Sequence, residues 1–370
     1  MFSYKARDVN EALSTGLQHL LREGAPEESR AGKVLVAPGP VCIEYTDPRQ
    51  RVLYSPARDA NPVFHFMESL WMLYGSNECE FPRFFNSSYS QFSDDRGATM
   101  WDAYGHRWRR FFGYDQLDLI VEELKKNPTS RRCVLSMWNS WPHAGDYDQN
   151  WPPGALFDLG SDLRNHDLHV ATHGGKAVPC NTHAYFAVRG GRLSMTVMNR
   201  SNDALWGCFG ANAVHFSFLL EYMAMRIGVP MGSYLQFTNN LHTYTDTFSV
   251  EKLNLIEHEC DTVGALPETG PAITDGFDAD LALFMPWALS VIRATPPPAT
   301  WEGATPPGTQ LALNVPPCTT PFFHAVAVPM FLTWVYRKWK DVYSMNICLY
   351  GVDAPDWQRA VREWIERRAK

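Results

Sequence analysis

The sequence predicts an α/β protein, on three observations. Helical and strand-like segments interleave along the chain, and a Gly190-Gly191 pair separates two alternating stretches as in a β-hairpin. The chain's 370 residues, 45% of them hydrophobic, are enough to bury a large core as one elaborated domain or two.

The elements follow in order. "VNEALSTGLQHLLR" (9–22) has apolar residues at helical spacing and stops before Gly24, so a first helix is expected. "EGAPEESRAGK" then reads as a polar loop and "KVLVAPGPVCIEY" as strand. "NPVFHFMESLWMLYG" reads as a buried helix that Asn61-Pro62 starts and Gly75 stops, with Glu68 inside an otherwise apolar stretch. "RRCVLSMWN" (131–139) looks like a buried strand entered by two arginines. Residues 140–177 form a long connection rich in Trp, Pro, Asp, Asn and His. "THAYFAVRGGRLSMTVMNR" supplies the hairpin, "NAVHFSFLLEYMAMRIG" (212–228) a long apolar helix, and "GSYLQFTNNLHTYTDTF" a strand running into polar residues. The stretch from about 265 to 320 is rich in Pro, Gly and Thr and reads as a linker or surface excursion. Two helical patterns close the chain, the second with Trp357, Val361, Trp364 and Ile365 on one face. There is no internal repeat.

Thirty-three Lys and Arg against 40 Asp and Glu give a net charge of -7, which excludes a general positive field for nucleic acid. A bound anion has to meet a local basic site. The eight cysteines are scattered, without CxxC pairs or zinc-like spacing, as expected of reduced thiols in a reducing compartment. No signal-like segment and no 18-residue apolar run is present, so a soluble, cytoplasmic protein with no membrane partner is expected.

Candidate chemistry centres on Cys180. A free Cys behind a Pro at the start of a strand is either a nucleophile or a small buried residue. Arg200 and Ser201, twenty residues on, suit a phosphate group, or else a surface ion pair. Arg131-Arg132 form a second candidate phosphate clamp, because burying two guanidinium groups without an anion is costly. Glu68 either serves proton transfer or reaches solvent at a helix edge. Asn212 is either an N-cap or an amide that reads the O4 and N3–H edge of uracil. His242 and Tyr244, two apart on a strand, share a face and suit a sugar hydroxyl. A Cys180–His183 hydrolase is disfavoured, because side chains three apart on a strand point to opposite faces. "DLGSDLRNHDLHVATHGG" lacks a companion Cys set or helical His pair and reads as solvated loop, with no metal expected.

Together these residues resemble the thymidylate synthase family, including its pyrimidine nucleotide hydroxymethylases. The matching blocks are "MESLWML", "WDAYGHRWR", "SRRCVLSMWN", "VPCNTHAYFAV", "MNRSNDALWG", "GANAVHFSFLLEYMA" and "NNLHTY", in order across roughly residues 30–250. The resemblance implies the α/β (α+β) thymidylate synthase fold, a mixed β-sheet with flanking helices, paired as a homodimer through the sheet face. It divides the chain into a catalytic domain at 1–265, a Pro/Gly-rich excursion at 266–321 and a C-terminal helical extension at 322–370.

By the same resemblance Cys180 adds to C6 of the pyrimidine, activating C5 to attack the one-carbon unit of the cosubstrate 5,10-methylenetetrahydrofolate. Glu68 manages protons through water, and Tyr104 assists proton transfer at C5. Arg30, Arg200 and Ser201 bind the nucleotide phosphate, with Arg131 and Arg132 reaching over from the other subunit. Asn212 reads the base, and His242 and Tyr244 the deoxyribose hydroxyl. Trp101, Asp203 and Gly207 belong to the folate side, with Asp203 meeting the pterin. Nearby arginines are expected to lower the thiol pKa of Cys180.

Three departures bear on the product. Asn181 stands where synthases usually have His, "GCFGAN" holds one extra residue before Asn212, and the apolar C-terminal residues that close over the folate in synthases are not recognisable in "WIERRAK". Water exclusion decides between methyl and hydroxymethyl products, so an altered lid favours hydroxymethylation. The expected reaction is therefore dUMP to 5-hydroxymethyl-dUMP, as in viruses that build modified pyrimidines into DNA, in which case the host cytoplasm is its place. The alternatives are thymidylate synthase proper, a dCMP hydroxymethylase, and an inactive nucleotide- or RNA-binding relative.

Overall fold

The computed structural model describes residues 1–140, 166–294 and 312–369. In chain order the strands are β1 (Phe2–Ala6), β2 (Ala25–Ser29), β3 (Gly32–Val36), β4 (Val41–Tyr45), β5 (Val134–Ser136), β6 (Asn181–Arg189), β7 (Arg192–Asn199), β8 (Asn202–Asp203), β9 (Met231–Thr238) and β10 (Leu241–Tyr244). The helices are α1 (Val9–Glu23), α2 (Pro62–Tyr74), α3 (Glu80–Phe85), α4 (Tyr104–Arg109), α5 (Gln116–Lys126), α6 (Asp167–Thr172), α7 (Asn212–Ile227), α8 (Val250–Asp261), α9 (Phe277–Ala294), α10 (Val328–Lys338), α11 (Val342–Tyr350) and α12 (Pro355–Ala369). A mixed α/β architecture is therefore observed.

The main sheet runs β1-β4-β9-β7-β6-β5, with β1–β4 and β7–β9 parallel and the other pairs antiparallel. Its centre is the β6–β7 hairpin, turned at Gly190 and Gly191 with φ of +56° and +74°. Two consecutive positive φ values make a turn whose twist matches the flanking strands, and glycine adopts them without steric cost. One face of the sheet, with Phe186, Met195, Tyr234 and Tyr45 in one row, is buried under the helices. On the other face the row Tyr185, Thr196, Leu235 is exposed or half-buried.

Helix α7 lies against this sheet and α2 packs on α7. Both are apolar nearly all round, as expected for buried helices. Asn61 caps α2 by accepting from the Phe64 N–H at 3.1 Å, and Gly75 ends it in the left-handed region. The smaller sheet, β2-β3-β10-β8, pairs His242 with Asp203 in its parallel β10–β8 register and holds the Arg30 turn at its β2–β3 end.

Several expectations need correction. The polar loop after α1 contains β2, whose residues are all exposed: an edge strand with both faces wet carries no apolar alternation. The stretches 33–45 and 232–248 are each two strands, split at Pro38-Gly39-Pro40 and at Asn239-Asn240. The expected buried strand at 131–139 is the three-residue edge strand β5, and Arg131 and Arg132 before it are exposed, so neither guanidinium is buried. The 266–321 stretch contains α9, in which Phe277, Leu281, Phe284, Ala288 and Val291 are buried at helical spacing. Flanking prolines hid that period. Further on, Phe322 stacks on Phe66 of α2 and Trp357 of α12 meets the same ring edge-on, with centroids 5.6 and 5.2 Å apart. The C-terminal helices thus cover the α2–α7 layer. Of the long connection, residues 141–165 lie outside the described residues; the described part of "DLGSDLRNHDLHVATHGG", residues 166–175, is not the solvated loop expected, because it holds α6 and Asp167 there is buried against Arg107. Among the described residues no helix is long and apolar enough to cross a membrane.

Candidate active site

Cys180 is half-buried immediately before β6, where a β-bulge between Asn181 and His183 interrupts the register with β7. Its backbone N–H donates to the Tyr104 hydroxyl at 3.0 Å, and the Asn181 N–H donates to the same oxygen at 3.3 Å. The first turn of α4 therefore holds the start of β6. Arg200 follows β7 and folds back, donating to the carbonyls of Pro179 and Val178 at 2.9 and 3.1 Å and standing 3.8 Å from the Cys180 Sγ. Its guanidinium also lies 5.6 Å from the Trp138 ring centroid. Ser201 comes next, half-buried at the entrance to β8.

The electrostatics of the thiol correct the expectation from sequence. Burial pushes the Cys180 thiol up, and although Arg200 favours the thiolate, Asp102 and Asp203 both disfavour it, leaving a net upward shift. The arginine is present, but the two carboxylates are nearby as well. Burial also pushes the Tyr104 hydroxyl well up, with Cys180 and Asp102 adding to it, so Tyr104 is held as a neutral phenol.

A ladder of buried amides forms the floor. Asn181 Nδ2 donates to Asn212 Oδ1 at 3.3 Å, Asn212 Nδ2 to Asn202 Oδ1 at 3.0 Å, and Asn202 Nδ2 to Gln236 Oε1 at 3.4 Å. Gly207 makes this approach possible: a Cβ there would sit 2.4 Å from Asn202 Oδ1 and 3.3 Å from Asn212 Nδ2. Asn212 is not an N-cap. It sits inside the helical region behind a π-helical segment, Ala204–Ala211, kinked at Gly210. A π turn is how a helix absorbs one additional residue, and the segment Ala204–Ala211 is of this kind, in keeping with the extra residue expected in "GCFGAN".

Asp203 Oδ1 caps that segment, accepting from the Leu205 and Trp206 N–H groups at 2.9 and 2.5 Å. Burial pushes its carboxyl up, while the Trp206 N–H, His242 and Arg58 act the other way. His242 Nδ1 bonds Asn240 Oδ1 at 2.9 Å and its ring meets Tyr244 edge-on at 5.4 Å. The Tyr244 hydroxyl is pushed up by burial, Asp203 and Cys180 and drawn down by Arg30, so all four groups share one neighbourhood. His183 packs on Tyr185 instead.

Trp101 donates its indole N–H to Asp167 Oδ1 at 2.7 Å. Asp167 also takes both arms of Arg107 at 2.8 Å, a fully buried bidentate pair. Asp102, the neighbour of Trp101, is pushed up to about 6 by burial against the pull of Arg107. Glu68 is buried on α2, so the solvent-reaching alternative falls. Its Oε2 stands 3.1 Å from His215 Nε2 of α7, and Tyr89 hydrogen-bonds to the same carboxylate.

The fold thus gathers Cys180, Tyr104, Arg200, Asn212 and Gly207, with Asp203, His242, Tyr244 and Arg30 beside them. Arg131 and Arg132 line a separate concavity with Asn127, Thr129 and Ser130. Sequence reasoning missed Asp102, Arg107, Asn202 and His215. The first two stand inside the conspicuous "WDAYGHRWR", and His215 lies three residues after Asn212, one helical turn along the same face. Asp167 carries no local signal at all.

Comparison with known proteins settles the family. The thymidylate synthase family model matches residues 15–266. The chain belongs to the thymidylate synthase family. Within this family it is similar to the deoxyuridylate hydroxymethyltransferase of Pseudomonas phage M6, 39% identical over 98% of this chain and 93% of that one. The protein of the same name from Bacillus phage SP01 is 32% identical over 68% of this chain and 61% of its own. A putative thymidylate synthase of Methanocaldococcus jannaschii is 33% identical over 36% of this chain. Membership of the thymidylate synthase family makes the cluster around Cys180 the candidate active site.

Proposed function

We infer that the chain is a one-carbon transferase that hydroxymethylates dUMP at C5, consuming water and 5,10-methylenetetrahydrofolate and releasing 5-hydroxymethyl-dUMP and tetrahydrofolate. Phage hydroxymethyltransferases similar along nearly the whole chain support the reaction. The observation that carries the substrate is the Asn212 amide. A primary amide has two N–H donors and two lone pairs on oxygen, and Asn181 and Asn202 occupy one of each. One donor and one acceptor remain, the set that the O4 and N3–H edge of uracil requires. Cytosine presents the two in the opposite order, an amino donor at C4 and an acceptor at N3, and would need the amide turned over, against the bonds to Asn181 and Asn202 that fix its orientation.

The residues then divide the work. Cys180, as thiolate, adds to C6, and Arg200 favours that thiolate. Substrate phosphate draws Arg200, Ser201 and Arg30 together. Tyr104 holds the Cys180 backbone and, as a neutral phenol, can hand on the C5 proton. His242 and Tyr244 receive the sugar hydroxyl.

The folate supplies the one-carbon unit. The donor set fits it: Trp101 is a flat indole held by Asp167, and Asp203 has a second carboxylate oxygen to accept N–H groups of a pterin. Gly207 contributes by letting the amides close up beneath.

The uncovered sheet face carrying Tyr185, Thr196 and Leu235 supports a homodimer through that face, with Arg131 and Arg132 completing the partner's phosphate site. The similarity to phage proteins supports the host cytoplasm as its place of action, and the reaction proposed takes a nucleotide and a folate as its partners rather than nucleic acid. Incubation with dUMP and methylenetetrahydrofolate, followed by mass identification, tests the reading. 5-Hydroxymethyl-dUMP is expected; dTMP with stoichiometric dihydrofolate overturns it, and preferential turnover of dCMP overturns the role of Asn212.

A further inference from the structure

Glu68 and His215 face each other across the α2–α7 contact, both buried, with Oε2 and Nε2 3.1 Å apart. His215 Nε2 makes no in-line hydrogen bond among the described residues, so this approach to the carboxylate is its polar contact. A buried carboxylate without polar neighbours is costly, and the fold brings two to it, the imidazole and the Tyr89 hydroxyl. Asn212 and His215 lie one turn apart on α7, so a single helix face presents both the base-reading amide and the partner of Glu68.

We propose that His215 is the positioning residue that holds the Glu68 carboxylate to accept a proton from the water that adds at the C5 substituent. The inference rests on the reading of Glu68 and of the reaction given above. In that step the water oxygen bonds to the exocyclic methylene carbon, and the electron pair of the C5–methylene double bond moves toward the C4 oxygen. One water proton passes to Glu68. Collapse of the enolate re-forms the C5–C6 double bond and expels Cys180 as thiolate. No oxidant or reductant takes part.

The surroundings agree. The Glu68 carboxylate acts on Tyr89 of the 3₁₀ turn Tyr89–Phe92 and on Asp102 of the loop before α4, helping to push both groups up. His65, on α2 itself, meets His215 edge-on at 6.4 Å. Burial, Arg58 and His215 hold His65 well below the ordinary histidine range, so it stays neutral and does not compete as a cation. His215 is left as the imidazole that addresses Glu68.

Two variants of the full chain separate positioning from packing. His215→Phe keeps the ring volume and removes the nitrogen, and should lower kcat on the order of 10²-fold while KM for dUMP stays within about 3-fold. His215→Gln, which returns an amide N–H to the place of Nε2, should recover roughly 10-fold of that loss. In the folate-free protein, the ¹⁵N imidazole resonance that disappears in His215→Phe should move in Glu68→Gln. The proposal is overturned if His215→Phe keeps kcat within about 3-fold, if both variants lose kcat equally at matched thermal midpoints, or if the resonance ignores Glu68→Gln. The wild-type product reports on the functional reading and the variant ratios on His215, so either can fail while the other stands.

Discussion

The Tyr104 hydroxyl accepts the backbone N–H groups of both Cys180 and Asn181, at 3.0 and 3.3 Å, across more than seventy residues of sequence. One side chain thereby sets the position of Cys180, the proposed nucleophile, and of Asn181, the first amide in the ladder proposed to read the base. Tyr104→Phe strips the acceptor from two backbone donors, so stability should fall by about 1–3 kcal/mol. Turnover should fall further, on the order of 10²-fold, if the hydroxyl also moves a proton. Thermal melting and steady-state kinetics check the two effects; a variant with unchanged kcat refutes the catalytic part.

Arg200 opposes burial at the Cys180 thiol but does not win in the free protein. Alkylation of Cys180 by iodoacetamide, followed by peptide mass mapping against pH, should give a midpoint above the ordinary thiol value. Arg200→Gln should move that midpoint higher still, because the neighbouring charge that favours the thiolate is gone while burial, Asp102 and Asp203 remain. A midpoint that stays or drops contradicts the assignment.

Asp102 contributes to stability in the opposite sense to a salt-bridged carboxylate. Its folded pKa is raised, to about 6, so the fold favours the protonated form. Any contribution from it is intact below the unfolded carboxyl range and is lost as pH rises through about 6. Asp102→Asn should therefore match the wild type near pH ~3.5 and exceed it by about 1–3 kcal/mol above pH ~7. Urea titrations at a series of pH values measure the difference, and an equal gap at every pH excludes titration of Asp102 as its source.

Arg107 and Asp167 form a fully buried pair that also holds the Trp101 indole. Asp167→Ala leaves a guanidinium buried without its counter-charge and should cost about 3–5 kcal/mol. Trp101 fluorescence should change with it, and the KM for methylenetetrahydrofolate should rise more than that for dUMP. Equal effects on both substrates would detach Trp101 from the folate side.

Gly207→Ala forces a methyl group to within 2.4 Å of Asn202 Oδ1. Overpacking of this kind costs about 1–3 kcal/mol, and the displaced amide should weaken dUMP binding measured by calorimetry. Unaltered dUMP affinity would show that the ladder does not read the base.

Much of this protein was legible before any coordinates. The helix Pro62–Tyr74 was marked by its Asn61 cap and Gly75 stop, and the β6–β7 hairpin by two glycines, because these are local steric signals. Edge strand β2 and helix α9 were not, since wet edges lose alternation and prolines masked the helical period. At the site, Cys180, Arg200, Glu68 and Asn212 stood out as unusual residue types in ordered blocks. Their partners did not: a His on an apolar helix, such as His215, looks the same whether or not a carboxylate faces it.

The sequence by itself determined the family, the order of elements and the residues able to carry nucleophilic and phosphate-binding chemistry, because each depends on residue type and spacing along the chain. Only the tertiary structure decided which groups meet: Tyr104 beneath Cys180, Asn212 between Asn181 and Asn202, Asp167 on Arg107, Glu68 against His215. It also decided that the Cys180 thiol is shifted up rather than down. Burial and charge act through space over a few ångströms, and those distances are set by how remote segments pack, which no local pattern records.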